Sequence, residues 1–425
     1  MDEMKPTHLA RTIAKLRKHR GLTQQDLADQ ISNCSRTLVA AWESGRAQPN
    51  EQQIQAVARV LRIPSKALQP ATRDLPEDLD LTALAQEMVK SGSALCQELS
   101  EVLRLGAFTP LLRDQQMLDW QRDRRQRGHQ AFAWQDDLDL YAHQRFESLI
   151  EDQLLGFFPN GLIVISEESL DEHGRLKPYV LAGGQNAGGI DHYIVLDPID
   201  RTIEAARAIT GFASLTVGSF SYGPLVSAVW TLFDRYASCY YAITGAGAWV
   251  HFRDGSTDPL TRSMATDLSC ANLAAYIGKP SRLTAIARYD SLFDRHGRDS
   301  ALTNASGSYG FCLVASSRVD AFFEVAKGYA WHDIVSGAHI LQQAGGIVKD
   351  LDFDDLEDPL LGLHLAGHDA EPAQDRLQRV AAALSLPAPA SPELNQVVRR
   401  LRRFHFIAAG THDLGAKVAL ELARS

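Results

Sequence analysis

Two apolar, β-branched runs in this chain stop at acids, and a third acid opens a helical segment; this pattern constrains the fold more than any other feature. Ile163-Val164-Ile165-Ser166 runs into Glu167-Glu168. Tyr193-Ile194-Val195-Leu196 runs into Asp197-Pro198-Ile199-Asp200-Arg201-Thr202, with helical spacing over 203–209. Trp331-His332-Asp333-Ile334 begins a helical stretch that reaches Gly345-Gly346. Short apolar runs bounded by polar residues read as buried strands, and their alternation with helical segments predicts an α/β domain. Carboxylates at strand ends, beside a backbone carbonyl, form a hard-oxygen site suited to Mg²⁺. A helix N-terminus close by offers N–H groups to a phosphate, and two metal ions can activate a water and stabilise the leaving oxygen. Any one of these clusters also fits a turn, a helix cap or the partner of a surface arginine.

The first seventy residues read differently. Leu9, Ile13 and Leu16 share one face of a first helix whose other face carries Arg11, Lys15, Arg17, Lys18 and Arg20. Gly21 ends it. Thr23 with Asp26 three residues on is a capping-box variant that opens a second helix, Gln24–Ile31. The turn Ser32-Asn33-Cys34 leads to a third helix, Ser35–Glu43, and Glu51–Leu61 is a further short amphipathic segment. Residues 1–74 hold 12 Lys+Arg against 7 Asp+Glu, so the head carries +5 while the net charge of the chain is −9. A basic head on an acidic body predicts that the head meets an anionic polymer.

GLTQQDLADQISNCSRTLVAAWESGRAQPN resembles the helix-turn-helix of the Cro/C1 (XRE) repressor family, through Leu-Thr-Gln, Leu27-Ala28 and Trp42-Glu43-x-Gly45. The resemblance implies that the third helix enters the major groove of double-stranded DNA, with Arg36, Thr37 and Ala41 near base edges and Gln24 on a phosphate or base edge. Arg36 is the candidate for a bidentate contact to guanine. The competing reading is a small helical bundle for protein contacts.

The three acidic clusters, in this order, resemble the signatures of the inositol monophosphatase superfamily, which includes the fructose-1,6-bisphosphatases: a glutamate pair, a DPxDGT strand-turn-helix and a WDxAAG helix start. Gly307-Ser308, Val319-Asp320-Ala321-Phe322-Phe323-Glu324 and Phe406-Ile407-Ala408-Ala409-Gly410 add to the match. The resemblance implies a layered αβαβα domain and two or three Mg²⁺ ions. Their ligands would be Glu167, Asp197, the carbonyl of Ile199, Asp200 and Asp333. Glu167 and Thr202 would orient the attacking water, the N–H groups of Arg201 and Thr202 would hold the phosphate, and Glu324 would contact substrate hydroxyls. Three positions depart from the pattern. Arg201 stands where the family has glycine, His143 falls near the place of an aspartate that supports the catalytic threonine, and His332 replaces the tryptophan ahead of the third aspartate.

The expected organisation is a helix-turn-helix domain over 1–70, a Pro- and acid-rich linker over 71–81, and a phosphatase-like domain over 82–425 with entry helices and an insertion over 82–134. The expected function is a Mg²⁺-dependent phosphomonoesterase with a DNA-binding head; the alternative is a transcriptional regulator whose phosphatase fold senses a phosphorylated metabolite. A homodimer is expected, because one recognition helix contacts few base pairs. No run of about 18 apolar residues predicts a membrane span, and five scattered cysteines without a CxxC pair fit a reducing cytoplasm. Of the remaining candidates, Gly245-x-Gly247 reads as a strand turn, and the arginines at 399, 400, 402 and 403 as a solvated helix face.

Overall fold

The computed structural model describes residues 13, 14, 17, 22–31, 34–44, 46–47, 49–61, 79–104, 134–169, 177–181, 190–201, 205, 210–277, 280–289, 302–361, 363, 373–385 and 402–424. The chain divides into two compact units, with the main division between Leu79 and Asp80.

In the N-terminal unit, α1 spans Gln24–Asp29, α2 Arg36–Glu43 and α3 Glu51–Leu61. Thr23 caps α1 through a reciprocal box with Asp26: the Thr23 hydroxyl accepts from the Asp26 N–H, and the Asp26 carboxylate accepts from the Thr23 N–H. Ser35 caps α2 by accepting from the Leu38 N–H. Ile13, Leu27, Ala28, Ile31, Val39, Trp42 and Val57 form one buried cluster. Arg17 departs from expectation. It is only 8% exposed and leaves the basic face to pair with Glu43, its Nε 2.5 Å from Oε1, while Nη1 donates to the Leu22 carbonyl.

In the larger unit, α4 (Leu81–Arg104) starts on Asp80, whose Oδ1 accepts from the N–H groups of Thr82 and Ala83. α5 spans Trp134–Leu149. An eight-stranded sheet has the order β2-β1-β3-β4-β5-β6-β7-β8, built from β1 (Leu162–Ser166), β2 (Tyr179–Leu181), β3 (His192–Asp200), β4 (Phe212–Ser219), β5 (Gly223–Thr231), β6 (Ala237–Ile243), β7 (Gly247–Phe252) and β8 (Thr257–Pro259). β1 and β3 are parallel and the other pairs antiparallel. Gly245 (φ 78°) and Gly247 (φ 126°) turn the chain from β6 into β7, the strand turn expected of them. A five-stranded sheet has the order β10-β9-β11-β13-β12, from β9 (Leu273–Ala275), β10 (Leu302–Asn304), β11 (Ala321–Tyr329), β12 (Ile347–Lys349) and β13 (Phe404–Ala409).

Helices fill the three remaining layers, α6 (Pro280–Ile286), α7 (Gly307–Ala315), α8 (Trp331–Gln343), α9 (Ala373–Leu384) and α10 (His412–Arg424) among them. The faces of β5 show how they stack. Side chains alternate along a strand. Trp230 points to α4, where Gly92 leaves room that a Cβ would fill; Ser227 points the other way, to His339 of α8. α7 and α8 lie between the sheets, packing on β5 and on β13, while α6 and α10 pack on β11 and β13 of the second sheet. The αβαβα layering is thus the expected one. Between the sheets runs a polar chain: Ser336 Oγ, Thr216 Oγ1, Ser227 Oγ, His339 and Thr244 Oγ1 are linked at 2.8 Å per step. Among the described residues no helix is long and apolar enough to cross a membrane.

Candidate active site

The parallel pairing of β1 and β3 brings the first two acidic clusters side by side. Glu167 directly follows β1, and its N–H donates to the Leu196 carbonyl of β3 at 3.3 Å. β3 pairs regularly with β4 as far as Asp197↔Ser214, then shifts register before Asp200↔Phe212. Residues three apart on a regular strand face opposite ways; the irregularity, at a proline that donates no ladder bond, frees Asp197 and Asp200 from that alternation. Asp197 is 1% exposed. Asp200 packs on Gly307 at the start of α7 so closely that a Cβ there would overlap its Oδ2. Gly307 also holds φ at +48°, a conformation glycine adopts without strain.

The third cluster arrives from α8. Its first turn carries His332 and Asp333, and the Asp333 Oδ2 accepts from the Ala330 N–H at 2.8 Å, stapling the helix start. The Ser308 hydroxyl donates to the Asp333 carbonyl at 2.9 Å, tying α7 to α8. Glu167, His332 and Asp333 each present one ligand atom within 4.8 Å of the others. Burial pushes the Glu167 carboxyl up to about 7, helped by the charges of Asp333, Glu168 and Asp200 and opposed by His332. Burial also works against charge on Asp333, but His332, Arg403 and the Ala330 N–H outweigh it and hold that carboxyl below its ordinary range.

Arg201 occupies the corner after Asp200 with φ 66°, a left-handed conformation that side-chain-bearing residues rarely adopt. Its guanidinium carbon lies 5.1 Å from the centre of the Tyr276 ring. Arg282 of α6 lies over the same ring at 5.0 Å and over Tyr329 at 4.6 Å. Thr202 lies outside the described residues. His143 is buried on α5 with its Nδ1 3.0 Å from the Ser166 hydroxyl and its Nε2 3.6 Å from Glu147, so it supports the residue before Glu167.

Glu324 does not stand ready for substrate hydroxyls. It is 3% exposed; one oxygen pairs with Arg282 and the other accepts from the N–H groups of Ala326, Lys327 and Gly328. The reason is local: β11 shifts register between Glu324 and Tyr329, and the carboxylate satisfies the N–H groups of the residues between them. Arg402 and Arg403 are not on a helix either. They lead into β13, and Arg403 Nη1 comes within 3.5 Å of Asp333 Oδ2. Tyr276, Arg282 and Arg403 carry no strand-end or capping pattern that would have marked them in the sequence.

In the head, Arg36 and Thr37 are exposed in the first turn of α2 and Ala41 is half-buried. Gln24 donates through Nε2 to Glu43 Oε2 at 2.7 Å, so its amide nitrogen ties α1 to α2.

These features agree with comparison to known proteins. A helix-turn-helix family model matches residues 13–68. The inositol monophosphatase family model matches residues 92–385, more than half of the chain. The chain therefore belongs to the inositol monophosphatase family and carries a helix-turn-helix domain ahead of that match. Similar solved structures include SuhB of Mycobacterium tuberculosis, with 18% identity, a TM-score of 0.47 and coverage of 80% of this chain and 97% of that one. An inositol monophosphatase from Anabaena (Nostoc) sp. PCC 7120 has 16% identity and a TM-score of 0.42, covering 68% of this chain and 86% of its own. An IMPase of Thermotoga maritima has 17% identity and a TM-score of 0.43, covering 68% and 83%. Comparison with curated proteins finds no match.

Proposed function

We propose that the larger unit hydrolyses small-molecule phosphomonoesters in a reaction dependent on divalent cations, Mg²⁺ being the family's ordinary choice, and that the head binds double-stranded DNA. One observation carries the enzymatic reading: carboxylates from three separate segments converge, Glu167 beside Asp333 and within the field of Asp200, whose carboxylate packs on Gly307. The donor set fits a hard cation. It is rich in carboxylate oxygen, and the glycine cradle leaves Asp200 space that any side chain would take. Burial, with the neighbouring charges of Asp333, Glu168 and Asp200 adding to it, raises the Glu167 carboxyl to about 7, a cost that a bound cation removes.

Glu167, Asp197, the Ile199 carbonyl, Asp200 and Asp333 would hold two or three such ions. When bound, these ions stabilise charge on the phosphoryl and leaving oxygens and make a water acidic enough to act as nucleophile. The chain itself supplies the orientation. Glu167 takes the proton of the attacking water on a carboxylate oxygen, with Thr202 positioning that water. The N–H groups of Arg201 and Thr202 hold the phosphate, and the Arg201 guanidinium adds a charge-assisted donor. His143 fixes the Ser166 hydroxyl and thereby the end of β1 that carries Glu167. The test is phosphate release from a panel of phosphomonoesters with Mg²⁺ and with chelator.

Support for the DNA-binding reading is the exposure of Arg36 and Thr37 at the capped start of α2, the end from which such helices reach base edges. A homodimer would present two such helices to one two-fold site; binding as a monomer to a single half-site would contradict it.

A further inference from the structure

We infer that His332 is a metal ligand, and that the position it shares with Glu167 and Asp333 takes a first-row transition-metal ion, Mn²⁺ or a later one, in preference to Mg²⁺. The inference deepens the reading of the cluster as a cation site and rests on it.

His332 is the one nitrogen donor among the described residues of this cluster. It sits in the first turn of α8 and is only 5% exposed, so its ring is held by packing rather than turned to solvent. Its Nε2 lies 3.3 Å from Asp333 Oδ1. The three donor atoms fall within 4.8 Å of one another. Two ligands on one ion, each at about 2.1 Å, are separated by no more than about 4.2 Å. A shift of roughly half an ångström in flexible carboxylates closes the set. Glu167 comes from the end of β1 while His332 and Asp333 come from one helix turn, so the donors approach from two directions.

Donor chemistry then decides the ion. Mg²⁺ demands oxygen and gives up its waters reluctantly. Imidazole binds the later first-row ions better, and affinity for a mixed N/O site rises from Mn²⁺ toward Cu²⁺. A set of one imidazole and two carboxylates gains nothing from its nitrogen with Mg²⁺ and gains a full ligand with Mn²⁺, Fe²⁺, Co²⁺ or Zn²⁺. The competing role for His332 is charge balance alone, an imidazolium beside Asp333 that never touches an ion. The two roles differ in whether nitrogen is bonded to the metal.

The test uses the full-length protein loaded with Mn²⁺ and read by pulsed electron paramagnetic resonance, beside His332→Gln. The expected result is ¹⁴N coupling from a coordinated imidazole in the wild-type protein, absent in His332→Gln although that variant still binds Mn²⁺. In competition, displacing Mn²⁺ should take at least about tenfold less Mg²⁺ from the variant than from the wild type, the direction set by loss of an imidazole ligand. Bound Mn²⁺ without ¹⁴N coupling in the wild-type protein overturns the inference, and this needs no variant to fold. Coupling that persists in His332→Gln overturns it as well. Failure of Mn²⁺ to bind at all would instead remove the cation-site reading beneath it.

Discussion

The Arg201 guanidinium carbon lies 5.1 Å above the Tyr276 ring, while its Nε and Nη2 are enclosed and have no hydrogen-bond partner among the described residues. Buried donors without partners are costly, and a charged one more so. A phosphate or a second anionic group of a ligand satisfies that demand with a bidentate pair.

Arg201→Gln is therefore expected to weaken binding of inorganic phosphate by roughly tenfold, since hydrogen bonds to charged groups contribute about 1.5–3 kcal/mol. Arg201→Gly should weaken it similarly yet leave stability unchanged or higher, because glycine accepts φ 66° without strain. Phosphate titrations and urea unfolding of both variants check this. Equal phosphate affinity in all three proteins would remove Arg201 from the site.

The buried Arg282–Glu324 pair makes a different prediction. Removing only Glu324 leaves a buried guanidinium uncompensated and three N–H groups without their acceptor, so Glu324→Ala should destabilise by about 3–5 kcal/mol. Replacing both residues with Met removes the charges together and should recover part of that loss. A double variant no more stable than Glu324→Ala, judged by denaturant midpoint, would assign the effect to the backbone acceptors alone.

His339 predicts a pH dependence. Burial lowers its pKa to about 3, against about 6.5 in an unfolded chain. Between those values the unfolded state binds more protons. The contribution of neutral His339 is thus complete above about pH 6.5 and is lost as pH falls toward 3, with a slope of up to about 1.4 kcal/mol per unit. The stability gap between wild type and His339→Gln should narrow by up to about 2 kcal/mol from pH 7 to pH 5. An unchanged gap in urea unfolding would mean that His339 does not titrate this way.

In the head, structure separates two arginines that the sequence presents alike. Arg17 is pinned to Glu43, and Arg17→Ala should unfold the small bundle and abolish DNA binding as a consequence. Arg36 is exposed, and Arg36→Ala should leave melting unchanged while costing about 1–3 kcal/mol of operator binding with relaxed specificity at one base pair. Thermal melts beside binding to a selected operator tell these apart. Equal loss of melting temperature in both variants would contradict the assignment.

What the sequence revealed follows from how local each signal was. The Thr23/Asp26 box and the acids closing β1 and β3 depend on residues within a few positions, and each is legible from spacing; Ser35, which the same spacing puts inside the third helix, instead caps it. The pairing of Arg17 with Glu43 spans 26 positions and that of Arg282 with Glu324 spans 42; nothing in either segment marks its partner. The Glu324 environment is hidden for the same reason, because a strand-borne acid looks the same in sequence whether it faces a ligand or a buried arginine. The neighbouring arginines suggest a helix at Arg403, whereas β13 begins right after it and brings it to Asp333.

The most direct test of the account is turnover of a responsive phosphomonoester by the wild-type protein and Asp200→Asn at saturating divalent cation. Asp200 touches Gly307 and bears on Glu167, yet it lies outside the Glu167–His332–Asp333 donor set, so its loss tests the wider cluster. The account predicts phosphate release that disappears with chelator and falls by about 10²–10³-fold in Asp200→Asn, the scale of losing one preorganised group at a reacting centre. Phosphate release unaffected by chelator, or equal in both proteins, would contradict it.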